Sequence, residues 1–129
     1  MKKILACILV GLLLFAPATG QPELDNVSKA LHLGDVTNIA RYFENLVEVS
    51  ISNEQSTYSK TQAERVLDNF FTKNKVRDFV VKHKGNSESS NLLFLIGDLS
   101  TDKGEYRVYL MFKKKRDNSY TLAEIRIDS

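Results

Sequence analysis

Apolar residues recur along this chain at two different periods, and each change of period marks a passage between helix and strand. Leu24, Val27, Ala30 and Leu31 fall at helical spacing, and Gly34 follows where a left-handed residue would stop a helix. Asp35 is placed to cap a second helix, whose apolar face is Val36, Ile39, Ala40 and Phe43. The period then drops to two. Val47, Val49 and Ile51 alternate with Glu48, Ser50 and Ser52, which predicts a half-buried strand. Ser59 with Gln62, and Thr61 with Glu64, are overlapping capping-box pairs that set a third helix start near Lys60. Its face of Ala63, Val66, Leu67, Phe70 and Phe71 is that of a helix laid on a sheet, ending near Asn74.

Four further strands are predicted over 76–84, 91–99, 105–115 and 120–127, paired in sequence as antiparallel neighbours. Asp102, Lys103 and Gly104 suit a three-residue bulged hairpin, and Asp117 with Asn118 a two-residue one. The first turn pairs Phe94 with Phe112, Ile96 with Leu110 and Asp98 with Val108; the second pairs Phe112 with Ala123, Leu110 with Ile125 and Val108 with Ile127. Both turns place Val108, Leu110 and Phe112 on one apolar face, and a one-residue slip would invert the assignment. Leu93, Leu95, Tyr109, Met111 and Leu122 then fall on the opposite face. A second face this apolar suits homodimerisation through the sheet, unless loops or the curl of the sheet cover it.

The first twenty residues read as a secretory signal, with Lys2 and Lys3 at the charged start, residues 4–15 apolar, and Ala18 and Gly20 small enough for cleavage before Gln21. Removing them leaves a single domain over 21–129, exported to a periplasm or to the exterior, with no integral membrane segment. It also changes the charge balance. The whole chain carries 18 basic and 16 acidic residues, and both signal charges are lysines, so the mature domain is neutral. No overall electrostatic case for nucleic acid survives. The only cysteine, Cys7, goes with the signal, which leaves no disulfide or thiol-ligated metal in the domain.

The order helix, helix, strand, helix and then four long strands resembles the nuclear transport factor 2-like (cystatin-like) superfamily of cone-shaped α+β domains. The resemblance spans residues 24–127 and is carried by ALHLGDVTNIARYF, by SKTQAERVLDNFF, and by EYRVYLMF with YTLAEIRI. It implies three N-terminal helices packed on a strongly curved, mainly antiparallel sheet. Most closely, the chain resembles an uncharacterised family of small secreted bacterial domains. The superfamily holds enzymes, binding modules and dimerisation domains on one scaffold, so the resemblance does not by itself assign a reaction.

Asp98 and Tyr106 are the candidate catalytic pair. In the register above Asp98 points inward beside Tyr106, the carboxylate-and-phenol arrangement that isomerases of this fold use for proton transfer. The competing reading is a hydrated Asp98 at the start of a turn. Tyr42, Phe43 and Phe70, with Phe94 and Leu110, are the candidate lining of a small apolar pocket, or ordinary core. His32 and His83 have no ligand partners at metal spacing, and no cofactor is implied. The run Lys113, Lys114, Lys115 and Arg116 suits either an anionic surface or the solvation of a sheet edge. A non-enzymatic module for a small apolar ligand or a protein is the first expectation. A cofactor-independent isomerase, cyclase or hydrolase using Asp98 is the second.

Overall fold

Gly34 adopts φ +65° and closes α1 (Pro22–Leu33), its amide and that of Asp35 donating back to Leu31 O at 3.1 Å and Ala30 O at 2.8 Å. The computed structural model describes residues 21–87 and 91–129, so the expected signal segment lies outside the described residues. Asp35 caps α2 (Val36–Ala40) through the Asn38 amide at 3.3 Å. That helix is shorter than predicted. Phe43 leaves its expected helical face and opens β1 (Phe43–Ile51), because the Tyr42 carbonyl is taken by the Leu122 amide of the last strand.

Ser52 and Asn53, both at positive φ, turn the chain into β2 (Glu54–Ser59), a strand absent from the sequence reading. All of β2 except the half-buried Tyr58 is exposed, so it carries no apolar phase. The capping box at the start of α3 (Lys60–Lys73) forms as predicted: Ser59 Oγ accepts from the Gln62 amide and Gln62 Oε1 from the Ser59 amide, each at 3.3 Å. There follow β3 (Val76–Asn86), β4 (Leu92–Thr101), β5 (Gly104–Lys114) and β6 (Tyr120–Asp128).

The fold class is the predicted one, α+β with the helices on one face of a curved, mainly antiparallel sheet. The strand order is β2-β1-β6-β5-β4-β3, and only β1 and β6 run parallel. Bulges in β3 and between Met111 and Phe112 bend the sheet around the helices. Val27, Leu31, Ile39, Val47, Leu67, Leu95, Leu99, Val108, Phe112 and Ile125 are fully buried between the layers.

The register of β4 against β5 differs from the predicted one by a single residue. Thr101 stands opposite Gly104 rather than Glu105. Its Oγ1 donates to Gly104 O at 2.8 Å and accepts the Lys103 amide at 3.1 Å, which shortens the loop to two residues. Asp102 is also tied to Lys75 in both directions, at 2.9 Å each. The slip inverts β4. Leu93, Leu95 and Leu99 enter the core, and Phe94, Ile96 and Asp98 face outward. Gly97 turns inward beneath Phe79, where an added Cβ would lie 2.6 Å from the ring Cε1 and 2.7 Å from the Val80 carbonyl oxygen.

Between β5 and β6 the predicted pairs Val108 with Ile127 and Leu110 with Ile125 are present. One step further, the bulge sets Leu122 rather than Ala123 across from Phe112 and buries it. The connection is a longer turn over 115–119, closed by Lys115 N to Ser119 O at 2.7 Å, with Asn118 at φ +68°.

Candidate ligand site

The C-terminal half of α3 packs over the β1–β2 hairpin, and the space between them is a half-open cavity of about 280 Å³. Its apolar wall is Val49, Ile51, Tyr58, Val66 and Phe70, its rim is Glu54, Asn69 and Lys73, and the buried Asn74 lies at its inner end. Helical spacing explains the wall on one side. Val66, Asn69, Phe70 and Lys73 lie three or four residues apart and so share one face of α3. The β1–β2 pairing sets Tyr58 across from Val47, next to Val49.

Asn74 fixes the inner end of the cavity. Its backbone amide and side-chain Nδ2 both donate to the Phe70 carbonyl at 2.9 Å, while its Oδ1 accepts the Tyr106 hydroxyl at 2.9 Å. Tyr106 packs edge-on against Phe70 with 5.1 Å between ring centroids, and Phe70 against Phe71 at 5.3 Å. The phenol is thereby occupied in holding the end of α3. The Glu54 carboxylate, Asn69 amide and Lys73 ammonium, by contrast, have no side-chain partner among the described residues, and they stand free at the rim.

The predicted catalytic pair is not brought together. Asp98 lies on the outer face of the sheet, where its Oδ1 accepts Arg107 Nε at 2.8 Å and its Oδ2 lies 4.0 Å from Lys82 Nζ. Tyr106 points to the opposite, helix-covered face. The one-residue slip at Thr101 is the cause. Of the five pocket candidates, only Phe70 lines the cavity. Phe43 and Leu110 are sealed in the core, and Phe94 is 40 % exposed on the outer face. Tyr42 sits at the α1–α2 groove, its hydroxyl accepting Asn26 Nδ2 at 2.8 Å. Tyr58 was missed because β2 has no apolar pattern, and without β2 nothing stood opposite Asn69 and Lys73 on α3 to mark them as a site.

The outer face is likewise re-sorted. Tyr109 and Met111 are on it as predicted, whereas Leu93, Leu95 and Leu122 are core residues; Phe94 and Ile96 take their place. Phe94 pairs with Met111 and Ile96 with Tyr109, while Arg126 stacks over the Tyr109 ring at 5.7 Å. Beside this band Glu48 and Glu124 are ladder neighbours. Partial burial, and then the adjacent Glu48 carboxylate, push the Glu124 carboxyl above its ordinary value. His32 is exposed and binds Asp78 at 2.9 Å. No group of three or more metal-ligating side chains occurs among the described residues, and no helix there is long and apolar enough to cross a membrane.

Residues 24–128 match the model of a domain-of-unknown-function family, DUF4783. The chain belongs to that family. A DUF4783 protein from Bacteroides fragilis is 33 % identical, covers 81 % of this chain and 95 % of its own, and superposes with a TM-score of 0.75. Another, from Bacteroides ovatus, is 32 % identical over 88 % of this chain and 94 % of its own, with a TM-score of 0.76. A nuclear transport factor 2-like protein of unknown function from Cytophaga hutchinsonii shares the fold at 10 % identity, covering 88 % of this chain and 92 % of its own with a TM-score of 0.59. No curated protein matches. This DUF4783 domain therefore shares its scaffold with these relatives.

Proposed function

We propose that this chain is an exported, non-enzymatic binding domain that holds a small amphipathic molecule in the cavity between α3 and the β1–β2 hairpin. The observation that carries the reading is the combination there of an apolar wall with a free ammonium, carboxylate and amide at the rim. Ligand pockets have this composition, and a volume of about 280 Å³ lies at the small end of their range. Lys73 suits an anionic head group, and Phe70, Val66 and Tyr58 suit a short apolar body. Catalysis has less support. Among the described residues the buried polar ones are Ser50, Asn74 and Thr101, none of them an acid or base, and Asp98 is ion-paired outside the core.

Export is supported by Lys2 and Lys3, the apolar residues 4–15, and the small residues before Gln21. A homodimer is supported by the outer band of Phe94, Ile96, Tyr109 and Met111, of which Phe94 is a large exposed apolar side chain in the middle of a sheet.

Native mass spectrometry of the protein recovered from its own cell envelope tests all three parts. The expected spectrum shows a chain starting at Gln21, a dimer, and a retained small-molecule mass that disappears when Val66→Trp fills the cavity. Phe94→Glu should yield monomers that keep the ligand. Ligand retention unaffected by Val66→Trp would overturn the assignment of the site.

A further inference from the structure

The two edges of the sheet, β2 and β3, are built differently. β3 is guarded. Two bulges interrupt its ladder, the exposed Arg77, Lys82 and Lys84 lie along it, and α1 is tied to it by His32 to Asp78 at 2.9 Å and by Lys84 to Asp25 at 3.7 Å. β2 has none of these devices. Its six pairs with β1 run without a bulge, and it holds no proline, lysine or arginine. A regular edge without such guards is a template for another strand.

The turn decides which groups that edge presents. Ser52 and Asn53 form a two-residue loop, so Ile51 and Glu54 are a hydrogen-bonded pair, and bonded pairs alternate with unbonded ones along the ladder. Ser56 and Tyr58 therefore direct their amides and carbonyls to β1, and Gln55 and Thr57 turn theirs away from it. The Ser52 amide agrees with this alternation, since it donates on the other side of β1 to Ile127 O at 2.9 Å. The next outward amide, that of Ser59, is taken by Gln62 Oε1, which closes the edge where α3 begins. Two amides and two carbonyls are left without a partner among the described residues. They repeat at two residues, about 6.8 Å along an antiparallel strand. A polypeptide backbone repeats donor and acceptor at that distance; a lipid or a sugar does not.

We propose that β2 receives a short extended peptide as a seventh, antiparallel strand, which delivers one apolar side chain to the cavity beside α3. The inference rests on the reading of that cavity as a ligand site and names the class of its occupant. The peptide residues bonded to Gln55 and to Thr57 are two apart, and the one between them stands opposite Ser56 with its side chain on the helix-covered face. Glu54 and Tyr58 are the neighbours of Ser56 on that face, and both line the cavity. The incoming side chain is thus set between them, toward Val66 and Phe70. A second copy of β2 does not fit this description, because its one apolar-bodied residue is Tyr58, already part of its own cavity wall. The edge also stays open in a dimer formed through the outer band, since β1 and β6 separate β2 from β5.

The chain from Gln21, which holds every element from α1 to β6, is titrated with the capped pentapeptide Thr-Thr-Val-Thr-Thr and followed by amide NMR. The Gln55 and Thr57 amides should shift and exchange more slowly with deuterium. Glycine in place of the valine should weaken binding about tenfold, the worth of burying that side chain. N-methylation of the two threonines beside the valine, whose amides face β2, should remove binding, while N-methylation of the valine, whose amide faces away, should leave it. Thr57→Pro deletes an edge amide that the β1 ladder does not use, and should weaken binding with the rest of the spectrum unchanged. Unmoved Gln55 and Thr57 amides at millimolar peptide overturn the proposal, as do equal binding of the glycine peptide and equal loss from the two patterns of methylation. Shifts at those amides on raising the protein concentration alone assign the edge to a second copy and overturn it too. Failure of the cavity reading shows separately, as a native ligand mass that survives Val66→Trp.

Discussion

Replacing Gly97 with alanine tests the β4 register through the sign of its effect on stability. In the observed register Gly97 faces the core, and a methyl group would lie 2.6 Å from Phe79 Cε1 and 2.7 Å from the Val80 carbonyl oxygen. Carbon atoms pack at about 3.5–4.0 Å, so the ring must move by roughly an ångström, and Phe79 is buried with little room to do so. The carbonyl belongs to a ladder and cannot retreat. Overpacking of this kind costs about 1–3 kcal/mol. Had β4 kept the register with Phe94, Ile96 and Asp98 inward, Gly97 would face solvent. Alanine there would then stabilise the strand by about 0.5–1 kcal/mol. Urea unfolding followed by circular dichroism separates the two outcomes: the midpoint should fall with an unchanged slope. Phe79→Leu removes the ring atoms, so alanine at position 97 should cost less in that background, with a coupling of about 1 kcal/mol. A Gly97→Ala midpoint at or above wild type would refute the placement of Gly97 under Phe79.

Two further substitutions probe single interactions. Tyr106→Phe deletes the hydroxyl that donates to Asn74 Oδ1 and leaves an acceptor on a residue only 9 % exposed, so urea unfolding should show a loss of about 1–2 kcal/mol. Glu124→Gln addresses the raised carboxyl. Between the ordinary value of 4.5 and its higher folded value the folded chain binds the proton more tightly than the unfolded chain, so stability falls as pH rises through that window. The glutamine variant should therefore be more stable than wild type at pH 7, with the advantage vanishing at or below about pH 4; a difference in melting temperature that does not change with pH would contradict this.

Features written within a few neighbouring residues were legible in the sequence. Gly34 after a helical period, Asp35 before the next, and the Ser59–Gln62 box each act locally, and all three form as read. The alternation in β5 was legible for the same reason, since Val108, Leu110 and Phe112 differ sharply from Arg107 and Lys113. β4 was not legible. Leu93, Phe94, Leu95 and Ile96 are apolar in succession, so the pattern has no phase, and the register passed to a turn whose length is set by the Thr101 hydroxyl. β2 failed for the opposite reason, having almost nothing apolar to alternate. The two losses removed the candidate site together. The slip carried Asp98 to the wrong face, and the missing strand concealed Tyr58 and with it the cavity.

The strand order has a consequence for how the molecule comes into being. β6 is the last element of the chain, yet it lies in the interior of the sheet, parallel to β1 on one side and antiparallel to β5 on the other. The β1–β2 hairpin, with α3 resting on it, has no other strand to join it to the rest of the sheet. Until residues 120–128 arrive, the sheet is in two parts, linked only through the helices, and Val49 and Ile51 lack their β6 partners Ile125 and Ile127. Such non-local pairing is slow to close. In a chain delivered from its N-terminus the sheet would thus close only once residues 120–128 were available to join β1 to β5.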